Sequence, residues 1–247
     1  MGAGTDPGMT AKEAKTVLIT GAAGGLGSAL VDAFILAGWR VAAGTHRNPL
    51  RNPDARILPL PLDVTRADSV ARAVSTVLDR WRRLDLLINN AGIARDQLVP
   101  RMTEPEWQQV LDVNLKGAFL CSQAVLPAMT RQRDGHILNL ASFSGRVGRL
   151  GAANYSAAKA GLVGLTQSLA REVGPHNIRV NAVSPGFLPT PLLGPLSESD
   201  LARHAADNAL GRINELNEVA HFLVFLADMR NVSGQVFQLD SRIASAT

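Results

Sequence analysis

Apolar residues along this chain fall into two alternating patterns, short unbroken runs and longer stretches at helical spacing. Thr16-Val17-Leu18-Ile19-Thr20 is the first run, and so short an unbroken run predicts a strand buried on both faces of a parallel sheet. Leu30, Val31, Phe34 and Ile35 follow at helical spacing, Gly38 closes that helix, and residues 40–44 read as the next strand. Further strands are expected at residues 57–62, 84–88, 136–140, 179–183 and 235–239. Helices are expected between them at about 68–80, 103–129, 154–173, 197–206 and 215–226. Thr65 with Asp68, and Thr103 with Glu106, look like capping boxes, and Ser197 like a further cap. Residues 1–14 carry no apolar periodicity and are expected to form a mobile tail. Strands separated by helices throughout predict an α/β fold over residues 15–247: a single-domain, Rossmann-like, doubly wound parallel sheet with helices on both faces.

Ligands of such sheets bind outside the carboxyl ends of the strands. The polar or glycine clusters beginning at Gly21, Thr45, Asp63, Asn89, Ser142 and Ser184 each follow a predicted strand, so they are expected on one edge. The first, Gly21-Ala22-Ala23-Gly24-Gly25-Leu26-Gly27, sits between a strand and a helix. Its glycines permit positive φ and close backbone approach, and the helix N-terminus offers N–H groups and a positive dipole end to a pyrophosphate.

The second chemical signal is Asn154-Tyr155-Ser156-Ala157-Ala158-Lys159, whose tyrosine and lysine lie one helical turn apart on one face. An ammonium held ~4 Å from a phenol favours the phenolate by ~4 kcal/mol at an effective dielectric of ~20. That is worth up to ~3 pKa units before desolvation is subtracted, enough to make the phenol a general acid near neutral pH.

Composition narrows the reading. The chain has 247 residues, 46% hydrophobic and 19% charged, with 25 basic against 21 acidic residues and a net charge of +4. The basic excess is slight and spread along the chain, so anionic ligands fit and a nucleic-acid footprint does not. Cys121 is the single cysteine, no run reaches the ~20 apolar residues of a membrane helix, and no signal-peptide pattern opens the chain. A cytoplasmic protein is expected. The five histidines show no metal-ligand spacing, so no metal is expected.

Thr20-Gly21 with its GxxxGxG spacing, Asn89-Asn90-Ala91-Gly92, Asn114, Ser142, Tyr155 with Lys159, and Pro185-Gly186 occur in this order. With these elements the chain resembles the short-chain dehydrogenase/reductase family from about residue 15 to 239. Ile93-Ala94-Arg95-Asp96, Asn114-Leu115-Lys116-Gly117 and Pro185-Gly186-Phe187 bring it nearest to the bacterial 3-oxoacyl-acyl-carrier-protein reductases. The resemblance implies Tyr155 as general acid, Ser142 as the hydrogen bond to the substrate carbonyl, and Lys159 on the nicotinamide ribose and the phenol. Asn114 would hold a water in a proton relay. Gly21, Gly25, Leu26 and Gly27 would take the pyrophosphate, and Asp63 and Val64 the adenine. Asn90, Ala91 and Gly92 would lie along the neighbouring ribose, and Pro185, Gly186, Leu188 and Thr190 at the nicotinamide. It further implies a homotetramer, and contact with acyl carrier protein through Arg133 and Arg171.

Members specific for NAD carry an acidic residue after the second strand, where this chain has Thr45-His46-Arg47. With no carboxylate there, and Arg47 available to pair with a 2′-phosphate, the expected cofactor is NADP(H), with NAD(H) less favoured. The expected reaction is NADPH-dependent reduction of a 3-oxoacyl thioester. A reductase or dehydrogenase of a 3-oxoacyl-CoA, a polyketide or another small ketone or secondary alcohol, and a non-catalytic dinucleotide-binding subunit, are the alternatives. Departures cluster around the pocket: Phe143-Ser144 with Arg146 and Arg149 make one wall bulkier and more basic. Pro189 and Pro191 flank Thr190, and the chain continues Leu239-Asp240-Ser241-Arg242 where relatives commonly have Asp-Gly-Gly.

Overall fold

A computed structural model describes residues 14–50, 54–191, 194 and 197–243, so nearly all of the expected N-terminal tail lies outside the described residues. Strands β1 (Thr16–Thr20), β2 (Arg40–Thr45), β3 (Ile57–Pro61), β4 (Leu86–Asn89), β5 (Gly135–Leu140), β6 (Ile178–Ser184) and β7 (Val236–Gln238) form one sheet. The order is β3-β2-β1-β4-β5-β6-β7 and every pairing is parallel. This is a Rossmann-like α/β fold. Strand order reverses between β1 and β4, and the crevice outside their carboxyl ends is where such sheets bind ligands.

Side-chain alternation along the strands divides the core into two layers. Val17, Ile19, Leu86, Ile88, Leu138 and Leu140 face helices α1 (Gly25–Leu36) and α8 (Leu216–Asp228), which bury Leu30, Phe34, Val219 and Leu223 there. Leu18, Leu87 and Ile137 face the other way, onto α2 (Ala67–Trp81), α4 (Gly117–Gln132) and α6 (Ala153–Val173). Val74, Val77, Cys121, Met129 and Leu169 complete that layer. Short helices α3 (Glu104–Leu111), α5 (Ser144–Val147) and α7 (Glu198–Ala206) occupy the loops.

Most element boundaries fall within a few residues of expectation, and the departures have local causes. Thr65 does not cap α2: its N–H and hydroxyl both donate to Asp63 Oδ1 (3.0 and 2.7 Å), and Arg66 takes the cap position without a side-chain bond. Asp68 turns outward instead, to Arg66 and Arg72. Strand β4 begins at Leu86, not at residue 84, because the Gln132 amide takes both backbone groups of Leu84 (3.0 and 2.9 Å). Thr103 and Glu106 do form a capping box, as do Ser197 and Asp200. The helix opened by Thr103 contains a π-turn over Asp112–Lys116, centred on Asn114, before α4 continues to Gln132.

Between the sheet and α4/α6 runs a buried polar chain. Asn89 Nδ2 donates to Asn139 Oδ1 (2.8 Å) and Ser122 Oγ (3.2 Å), and Asn139 Nδ2 donates to Thr166 Oγ1 (2.9 Å). Asn89 and Asn139 are register partners on β4 and β5, so this chain ties both strands to both helices.

His136 on β5 is also buried, with Nε2 2.9 Å from the Asn181 amide. Burial, joined by the charge of Arg179, pushes its pKa down to about 3. An unfolded histidine titrates near 6.5, so between these values the unfolded chain binds the extra proton. The histidine's contribution is therefore complete above ~6.5 and is lost as pH falls towards the folded value, at up to ~1.4 kcal/mol per pH unit. Thermal unfolding between pH 7 and 4.5 should show wild-type stability falling more steeply than that of His136→Gln, by about one proton's worth of slope. Parallel curves would contradict this origin.

Candidate active site

The turn after β1 is held open by glycine geometry. Gly21 has φ +66°, and a Cβ on Gly27 would lie 2.2 Å from the Gly21 carbonyl oxygen. The Asn90 amide donates to the carbonyls of Thr20 (2.9 Å) and Gly21 (3.1 Å), while Thr20 Oγ1 accepts from the N–H groups of Asn90 and Ala91. The ends of β1 and β4 are thereby locked into one floor. Gly24 is the N-cap of α1 and no side chain caps it, which leaves first-turn N–H groups for an anion. A Cβ on Gly25 would lie 2.8 Å from the Thr190 methyl, so the loop after β6 closes directly over this helix end.

These pieces line a cleft of about 340 Å³. Its wall contains Gly21, Gly25, Leu26, Gly27, His46, Arg47, Asn90, Ala91, Gly92, Pro185, Gly186, Leu188 and Thr190 at one end, with Ser142, Tyr155 and Lys159 further along. A glycine cradle, an uncapped helix end and a rim of Thr45, His46, Arg47 and Asn48 suit a dinucleotide, and no carboxylate lines the wall. Asp63, Val64 and Asn114 do not line it. Asp63 accepts from Thr65 and comes 3.7 Å from His46 Nε2, and Val64 is buried, in reach of a Cβ on Gly117. Asn114 makes two side-chain bonds to Ile93, accepting its N–H (2.8 Å) and donating to its carbonyl (2.9 Å). Among the described residues no group of three or more His, Cys, Asp or Glu could hold a metal ion, and no helix is long and apolar enough to cross a membrane.

Helix α6 brings Tyr155 and Lys159 to the cleft on one face. Its start is fixed by buried Asn154, whose amide donates to the carbonyls of Arg95 (2.9 Å) and Glu106 (3.3 Å). Gly145 lets α5 lie against α6, since a Cβ there would come 2.7 Å from the Ala160 nitrogen. Ser142 follows β5, and its Oγ accepts from the Ser144 N–H (3.2 Å).

The electrostatics differ from the simple pairing of Tyr155 with Lys159. Lys159 Nζ donates to the Leu140 carbonyl at 2.6 Å and stands 5.6 Å from the centroid of the Tyr155 ring. Burial lowers the lysine pKa to about 8, a penalty of about 3 kcal/mol on its charge, yet leaves it mostly protonated at pH 7. The phenol moves the other way: burial raises its pKa, and the Ser142 side chain and the Arg149 charge offset this only in part. In the ligand-free protein the phenol is thus held neutral and does not approach a neutral-pH phenolate.

Several cleft residues carried no clear sequence signal. The His204 ring on α7 stacks on Phe187 (3.7 Å, 20°), Arg149 pairs with Asp96, and Arg242 lies 4.2 Å over the Phe143 ring. Only the departures at Arg149 and Arg242 hinted at this. Arg133 and Arg171, expected at the site entrance, are not brought there. Arg133 closes α4 beside the amino end of β5, roughly 20 Å of strand away from Ser142, and Arg171 lies about 24 Å along α6 from Tyr155. Within one chain both sit at the edge of the sheet opposite the cleft.

Residues 15–201 match the family model described as short chain dehydrogenase. The 3-oxoacyl-(acyl-carrier-protein) reductase FabG of Thermotoga maritima is 41% identical over 240 residues, covering 92% of this chain and 97% of the relative. The 3-oxoacyl-(acyl-carrier-protein) reductase of a Synechocystis species is 37% identical over 94% of this chain and 98% of its own length. FabG of Salmonella typhimurium is 38% identical over 87% and 90%.

Because a Cβ at Gly27 must displace the Gly21 carbonyl, Gly27→Ala should weaken nicotinamide dinucleotide binding at least about tenfold while circular dichroism stays native. Calorimetric titration measures this. Unchanged affinity would show that the turn does not form the cradle.

Proposed function

The chain belongs to the short-chain dehydrogenase family, and on that premise we propose that it reduces 3-oxoacyl thioesters to 3-hydroxyacyl thioesters with NADPH. It is an NAD(P)-dependent oxidoreductase; the thioester, the carrier protein and the choice of NADPH are the proposal. One observation carries it: Ser142, Tyr155 and Lys159 line the same cleft as the glycine turn. The relatives' names supply the substrate class, since those at 37–41% identity are called 3-oxoacyl-(acyl-carrier-protein) reductases.

Bound in the cleft, NADPH supplies the hydride for the carbonyl carbon. The chain's part is to orient the carbonyl and deliver a proton to its oxygen. Ser142 donates a hydrogen bond to that oxygen, and Tyr155 transfers its phenolic proton to it. Burial keeps the phenol protonated at neutral pH but makes it a weaker acid, so donation depends on charge that stabilises the phenolate as it forms. As phenolate character develops, an ammonium at the 5.6 Å seen between Lys159 and the ring favours it by roughly 3 kcal/mol at an effective dielectric of ~20. Lys159 also binds the nicotinamide ribose. A relay water would rest on a backbone carbonyl of the π-turn around Asn114, whose side chain is held by two bonds to Ile93.

Asp63 and Val64 would meet adenine from the end of β3, and Arg47 would pair with the 2′-phosphate. Residues 15–247 would act as one catalytic domain of a cytoplasmic homotetramer. Exposed small residues on α6 (Ala157, Ala160 and Gly164) and exposed Phe119 on α4 support self-association. Acyl carrier protein would dock near the cleft mouth, and Arg133 and Arg171 could serve it only from a neighbouring subunit.

Loss of NADPH absorbance tests the reading, with acetoacetyl thioesters of carrier protein and of CoA as substrates. Turnover should be seen on the thioester, with NADPH favoured over NADH by at least about tenfold in kcat/KM. NADPH binding without turnover on any thioester or ketone would favour a non-catalytic subunit. Equal efficiency with NADH would overturn the role given to Arg47.

A further inference from the structure

Beyond Ser142 and Tyr155 the cleft is walled by Phe187, His204, Arg149 and Arg242. These four come from the loops after β5 and β6, from α7 and from the segment after β7, at the end away from the glycine turn. Both arginines are fixed by carboxylates. Arg149 Nη2 donates to Asp96 at 2.5 Å. Arg242 stacks over Phe143 and reaches Asp240 through Nε and Nη2, while the other Asp240 oxygen accepts from Gln238 (2.8 Å). The Asp240 carboxylate is fully buried, so the pair acts as an anchor and not as a mobile surface contact.

A guanidinium has five N–H donors in a rigid fork. These contacts engage one nitrogen of Arg149 and two of Arg242, so each keeps donors for a ligand, already oriented. His204 adds a ring nitrogen. Burial lowers its pKa, Asp207 opposes this, and the charges of Arg203, Arg242 and Arg149 add to it; His204 lines the same cleft as both arginines. Arg149 lines the same cleft as Tyr155, and its charge and that of its partner Asp96 act on the phenol in opposite senses. A plain hydrocarbon chain would find only Phe187 in this wall, and burying one against the guanidinium groups would strip them of water without return. A planar oxyanion matches them bidentately.

We propose that this wall recognises a carboxylate borne by the carbonyl substrate, clamped by Arg149 and Arg242, so that the protein prefers oxo acids to neutral ketones of the same skeleton. The inference rests on the carbonyl-reductase reading of the same cleft and names the substrate class for it. The carboxylate is either C1 of a free 3-oxo acid or the far end of a short 3-oxoacyl thioester.

The test pairs acid with ester. Acetoacetate should be reduced at least about tenfold more efficiently than ethyl acetoacetate, and Arg242→Gly or Arg149→Gln should lower that acid-to-ester ratio at least about tenfold. A thioester ending in carboxylate, set against one ending in methyl, distinguishes the two positions. Calorimetric binding of 3-hydroxybutyrate and its ethyl ester to the protein–NADP⁺ complex reads the clamp without turnover. Tighter binding of the acid, lost in either variant with native circular dichroism, supports the clamp. In both the turnover and binding comparisons, equal or better use of the neutral partner throughout overturns it. Acid-selective binding with no reduction of any ketone would uphold the clamp and sink the reductase reading instead.

Discussion

The side chains of Asn89 and Asn139 meet at 2.8 Å in the interior, and the geometry of the cleft depends on that contact. Each net hydrogen bond adds only about 0.5–1.5 kcal/mol, but a buried amide left unpaired costs about 1–3 kcal/mol, so slipping either strand is penalised twice. Asn89 immediately precedes Asn90, which pins the glycine turn, and Asn139 lies three residues before Ser142. Through Thr166 the same chain of bonds holds α6, the helix that carries Tyr155 and Lys159. Tyr155, Ser142 and the glycine turn are therefore set by one register, on elements far apart in sequence.

How much of this was legible in the sequence follows from how local each cause is. Unbroken apolar runs locate the strands because full burial on both faces leaves no polar alternation. Glycine between strand and helix locates the cradle because no other residue tolerates both the positive φ and the close approach. The cap at Thr65 was misread because Asp63, two residues earlier, competes for the same hydroxyl. Spacing puts Lys159 on the face of Tyr155 but cannot say where its ammonium points, and the Leu140 carbonyl on the neighbouring strand takes it. Arg133 and Arg171 stand near cleft elements in sequence, yet each lies a full element length away, at the opposite edge of the sheet. His204 and Arg242 reach the cleft from α7 and the C-terminal segment, whose positions only tertiary packing decides.

Lysine burial and phenol burial have opposite consequences that together define the chemistry. Losing solvent brings the ammonium near its titration point and pushes the phenol away from its own. On the proposed reading, a neutral phenol beside a still-charged lysine would donate its proton and be stabilised as it does so. The proposed carboxylate clamp beyond it would add a second electrostatic requirement, on the substrate and not on the reaction.

Proton donation by Tyr155 is the central claim, and single-turnover reduction by Tyr155→Phe tests it most directly. The account predicts NADPH affinity within about threefold of wild type and a rate of carbonyl reduction lowered by at least about a thousandfold, in line with loss of a general acid. Reduction by the variant within about tenfold of wild type would contradict it.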